Sequence, residues 1–139
     1  MINKKKRIEV YNKYDGHCAY CGKKILYKEM QVDHAHPKIL SHFKATGRDK
    51  NGKLLMPDPD HMENLMPSCR RCNHYKRAFP IDGYRRQLQT LHERFMQIYI
   101  VKVAVDYGII KVEPFVGIFY FEKVKTKKLT RTKFNDNKP

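Results

Sequence analysis

The sequence predicts an α+β chain: a small core organised by a zinc site of four cysteines, then a long helix and a C-terminal strand segment. Three observations carry this expectation. Four cysteines stand in two CxxC pairs, Cys18/Cys21 and Cys69/Cys72. Apolar residues recur at helical spacing over residues 81–107, and a β-branched and aromatic run follows Gly108. With 139 residues there is room for one domain, which would bury about two-thirds of its unfolded surface. A single domain over 1–139 is therefore expected.

Taken in order, RIEVYNKYDGHC reads as a short helix with Ile8 and Tyr11 on one side, ended by the turn-forming Asp15-Gly16. It leads into the first knuckle, CAYCGKK. In ILYKEMQVDHAHP the rough alternation of Ile25, Tyr27, Met30 and Val32 suggests strand character and sets Asp33 and His34 at a strand end. Residues 38–60, with an Asn51-Gly52 turn and two prolines, read as a partly structured surface insertion. In the second knuckle, CRRCNHYKRAF, Asn73 can begin a short helix that Pro80 ends or re-aims. Tyr84, Leu88, Leu91, Phe95 and Ile98 then form a stripe at spacings of three or four, read as the core face of a helix over 81–107. A strand segment over 109–124 and a basic, flexible tail over 125–139 complete the expected order.

Lys and Arg number 29 against 14 Asp and Glu, a formal charge of +15, and hydrophobic residues make up 41%. Such a chain is globular rather than disordered, and its expected partner is a polyanion. No segment approaches the roughly 18 apolar residues of a membrane span. The basic start MINKKKRIEV has no apolar run behind it, so no membrane partner and a cytoplasmic location are expected.

In a reducing compartment, paired CxxC motifs favour metal over disulfides. Each CxxC turn can direct two thiolates at one ion, and two turns supply the four tetrahedral ligands of structural Zn²⁺. Two disulfides, a redox pair or unconnected buried thiols are the competing readings. Zinc is preferred because no cysteine is left over.

The pattern CxxC, then DHxxP, then a downstream Asn, then CxxCNxxK resembles the HNH endonuclease family over about residues 8–78. The resemblance implies a ββα-metal core, two strands and a helix around one catalytic cation. It also implies the roles of individual positions. His34 looks like the general base, and an imidazole of pKa about 6.5 suits proton removal at neutral pH. Asp33 looks like the metal-ligating carboxylate and Asn73 like the third family position, hard oxygen donors that favour Mg²⁺ or Mn²⁺. Asn64 resembles the middle residue, which fixes the loop and helps orient the base. Lys76 matches the family lysine and could hold a phosphate. The implied reaction is metal-assisted hydrolysis of a DNA phosphodiester, on double or single strands, leaving 5′-phosphate and 3′-hydroxyl ends.

Simpler readings stand beside these. Asn73 is also an ordinary N-cap residue type. His36 could contact phosphate, ligate metal or simply be exposed, and His74 could replace Asn73 as a ligand. Asp58 or Asp60 could approach the cation. Arg70, Arg71 and Arg77 are read with Lys76 as DNA contacts, against the alternative of a solvated helix face. A homodimer is left open. The alternative function is a zinc-organised nucleic-acid-binding protein without turnover.

Overall fold

The computed structural model describes residues 2–38, 50–52 and 58–135, with side chains through residue 128. Much of the insertion, including His42, and residues 136–139 lie outside the described residues. The chain divides into two units: Met1–Pro80 with Phe119–Pro139, and Ile81–Ile118. This differs from the single domain expected over 1–139.

The first unit opens with α1 (Lys4–Asn12), whose first turn is capped by the Asn3 side chain, an acceptor for the Lys6 N–H at 2.9 Å. Val10 is the residue this helix buries, while Ile8 stays exposed. The helix ends in a turn through Asp15 and Gly16, both with positive φ. The first knuckle follows, and then β1 (Gln31–His34) pairs antiparallel with β2 (Leu65–Ser68). Their register sets Asp33 opposite Met66 and His34 opposite Leu65. A 3₁₀ turn, Met62–Asn64, feeds β2, and α2 (Arg70–Lys76) follows it directly. Strand, strand and helix thus form the ββα arrangement. The expected strand character before Gln31 is realised as turns, although Ile25 and Met30 are buried as the alternation suggested.

Two expectations are corrected in the rest of the chain. The helix over 81–107 is three helices, α3 (Ile81–Gln89), α4 (Leu91–Phe95) and α5 (Tyr99–Asp106). Thr90 marks the first break, its hydroxyl donating back to the Arg86 carbonyl at 3.1 Å. Extended backbone at Ile98 marks the second. The stripe therefore does not make one core face: Tyr84 is buried, but Leu91, Phe95 and Ile98 are partly exposed. The segment 109–118 is irregular, and the expected strand end and tail are instead α6 (Tyr120–Asn135). A strand needs a partner ladder, and among the described residues the sheet has only β1 and β2.

What replaces the strand is an aromatic dock within the first unit. Phe119 and Phe121 stack on each other with ring centroids 5.9 Å apart, and both meet the Tyr20 ring edge-on. Backbone N–H groups of Tyr120 and Phe121 donate to the carbonyls of Tyr20 and Ala19 at 3.1 and 2.8 Å. The first knuckle is thereby held from the C-terminal side. Gly22 is required there: its φ is +76°, and a Cβ would stand 2.7 Å from the Tyr120 ring.

Candidate active site

The two knuckles converge because each is tied to the sheet. Ala19 N–H donates to the Pro67 carbonyl of β2 at 2.8 Å, and Cys69 follows β2 directly as the N-cap of α2. The sulfur of Cys69 accepts from the Cys72 N–H, and the Cys21 and Cys69 sulfurs are 4.0 Å apart. All four sulfurs lie within 4.8 Å of one another. Tetrahedral Zn²⁺ with bonds of about 2.3 Å sets its sulfurs about 3.8 Å apart, so the cluster fits a structural zinc ion. Hydrogen bonds from Cys18 and Cys72 push Cys21 down, to about 3, while its neighbours Cys18 and Cys21 push Cys72 up. Among the described residues this is the one group of three or more His, Cys, Asp or Glu able to hold a metal.

Successive side chains of a strand point to opposite faces, and β1 uses both. Gln31 and Asp33 face α2. The Gln31 Oε1 accepts from Asn73 Nδ2 at 2.7 Å, and Asp33 Oδ2 pairs with Lys76 Nζ at 3.0 Å and accepts from the Tyr20 hydroxyl. Asp33 is only 7% exposed. His34 turns toward the end of the insertion, where its Nε2 lies 2.7 Å from Asp60 Oδ1. Lys38 Nζ flanks the same carboxylate at 2.9 Å. The hydrogen bond from His34, with that from Lys38, holds the Asp60 carboxyl down at about 2.

Asn64 is buried and spans two segments. Its Oδ1 accepts from the His36 N–H at 2.7 Å, and its Nδ2 donates to the carbonyls of His36 and Pro59 at 3.0 and 2.8 Å. Its own carbonyl accepts from the Ala35 N–H. One carboxamide thus clamps the residues after His34 to the residue before Asp60. His36 is exposed and takes part through its backbone alone.

Two readings of α2 change. Asn73 is not an N-cap, because Cys69 caps the helix and Asn73 lies within it. Lys76 is not placed to hold a phosphate: it is fully buried, with its ammonium donating to the His34 carbonyl at 2.8 Å and paired with Asp33. A buried lysine needs such partners. Arg70, Arg71, His74 and Arg77 are exposed. Arg70, Arg71 and His74 line, with Lys23, Cys21, Cys69 and Cys72, a cavity of about 600 Å³ beside the cysteine cluster.

Sequence reasoning did not find Tyr20 and Gln31, the partners of Asp33 and Asn73, since neither carries a spacing signal. Asp60 was visible only as an acidic residue near the site. Its carboxylate pairs with His34 and Lys38.

Residues 18–79 match the family model described as HNH endonuclease. Among solved structures, the chain is similar to the crystal structure of the Type II-C Cas9 enzyme from Actinomyces naeslundii, at 26% identity and a TM-score of 0.41. That similarity covers 59% of the present chain and 8% of the Cas9 chain, so this chain spans a small part of that enzyme's length. No curated protein matches the chain. No helix among the described residues is long and apolar enough to cross a membrane.

Proposed function

We propose that the protein is a metal-dependent endonuclease that hydrolyses DNA phosphodiester bonds. The observation that carries this reading is the Asp33-His34 pair at the end of β1, with α2 packed on the Asp33 side and the whole segment inside the HNH match. In this reading His34 removes a proton from a water molecule, whose oxygen attacks phosphorus in line as the bond to the 3′ oxygen breaks. Asn64 holds the backbone beyond His34 in place, and Arg70, Arg71 and Arg77 contact phosphates on the approaching strand.

The donor set suits a hard cation. Asp33 offers a carboxylate. Asn73, whose amide nitrogen is committed to Gln31, has its Oδ1 left as an acceptor. These two residues would hold Mg²⁺ or Mn²⁺, which when bound offsets negative charge on the phosphate and the leaving oxygen. Zinc on the four cysteines holds the fold.

The test uses short duplex and single-stranded DNA with Mg²⁺ or Mn²⁺, comparing the native protein with His34→Ala. Metal-dependent cleavage leaving 5′-phosphate ends, slowed about 10²- to 10⁴-fold in the variant, is expected. One observation favours a second reading, a zinc-organised DNA-binding protein without turnover: the Asp33 carboxylate is already engaged by Lys76 and Tyr20. Salt-dependent binding unchanged by His34→Ala, with no products in any metal, would decide for that alternative.

A further inference from the structure

We propose that Asp60 is the positioning residue of the site, fixing neutral His34 in the tautomer that carries its proton on Nε2 and leaving Nδ1 as the basic nitrogen. The inference rests on the nuclease reading for its consequence, but its geometry stands on the Asp60–His34 contact itself. A carboxylate has acceptor oxygens only. With Asp60 Oδ1 2.7 Å from Nε2, that nitrogen must be the donor. The lone pair of the neutral ring then lies on Nδ1, and the partner of one ring nitrogen decides what the other can do.

The arrangement is built rather than incidental. The His34 side chain is 16% exposed and that of Asp60 22%, so water competes with the contact only in part. Lys38 Nζ bridges the carboxylate, 2.9 Å from the same Oδ1 and 3.3 Å from Oδ2. Asp60 N–H donates to Asp58 Oδ1 at 2.9 Å, which shapes the turn that presents the carboxylate. Asn64 joins Pro59 to His36, fixing the separation of the two segments that carry Asp60 and His34. Asp60 neither replaces the base nor touches DNA in this account. It acts through the imidazole.

The test uses the zinc-loaded full chain with ¹⁵N-labelled histidine. Long-range ¹H–¹⁵N spectra at pH 8 report the tautomer, with His34 assigned by loss of its signals in His34→Ala. Single-turnover DNA cleavage is measured on the same samples. The native protein should show His34 protonated on Nε2. Asp60→Ala should give a mixed tautomer and lower kcat about 10- to 100-fold, the scale for groups that orient a histidine, with KM within twofold. Asp60→Asn, whose carboxamide oxygen can still accept from Nε2, should recover part of both and guards against a folding defect in the alanine variant. A His34 proton on Nδ1 in the native protein, or an unchanged tautomer in Asp60→Ala, overturns the proposal. So does a changed tautomer with unchanged kcat. Failure of the native protein to cleave any DNA sinks the nuclease reading instead, and the spectra still decide whether Asp60 sets the tautomer.

Discussion

Asp33 is a buried carboxylate whose Oδ2 takes one ammonium, from Lys76, and one hydroxyl, from Tyr20. Removing one partner of a buried ion pair leaves the other charge uncompensated, at a cost of about 3–5 kcal/mol. Lys76→Met should therefore lower the unfolding free energy of the zinc-loaded protein by about that amount in urea titrations. An unchanged midpoint would mean that Lys76 is not held as described. At this scale Asp33, His34 and Asn64 were legible, because DHxxP and a single well-placed Asn carry a spacing signal. The fate of Lys76 was not. In the sequence it stands in a basic run with Arg70, Arg71 and Arg77, and its burial arises from an acid on a distant strand. Asp60 was hidden for a related reason, as its partner lies across the insertion.

At the scale of elements, the four-cysteine cluster and the aromatic dock jointly hold the first knuckle. Cys69 both ends the loop from β2 and caps α2, so Cys69→Ser should lose stoichiometric zinc and cooperative unfolding together, as should treatment with a strong chelator. Retained zinc with a normal transition would contradict that. Phe119, 1% exposed against Tyr20 and Phe121, should cost about 3–5 kcal/mol when cut to alanine. A loss below about 1 kcal/mol would mean that the dock contributes little. The knuckles and the ββα order could be read from cysteine spacing and the motif, but α6 could not be read from composition. The run IFYF has strand-forming residues, yet Glu122 Oε2 accepts from the Phe119 N–H at 2.8 Å, a capping contact at the start of α6. That Glu, three residues after Phe119, was the available signal. In the same way Thr90 carried the break that apolar periodicity concealed.

Over the whole molecule the charge of +15 is divided between two tasks. Arg7 donates to the carbonyls of Tyr27 and Met30, Lys13 to those of Met62 and Leu65, and Lys76 to that of His34. These cations serve the fold, and burial lowers the pKa of Lys13 accordingly. The arginines of α2 are exposed, and the proposed function assigns them to phosphate contact. DNA affinity should fall steeply with salt, and Arg70→Ala with Arg71→Ala should reduce the slope of log K against log salt by about 2. An unchanged slope would remove α2 from the interface. The central claim is that this zinc-held ββα unit cuts DNA with His34 as its base. The most direct test is nicking of supercoiled plasmid by native and His34→Ala protein of matched zinc content, in Mg²⁺, in Mn²⁺ and with the divalent cation withheld. The account predicts metal-dependent nicking that the substitution slows about 10²- to 10⁴-fold while zinc and fold remain. Equal nicking by both proteins, or none by folded native protein in either metal, would contradict it.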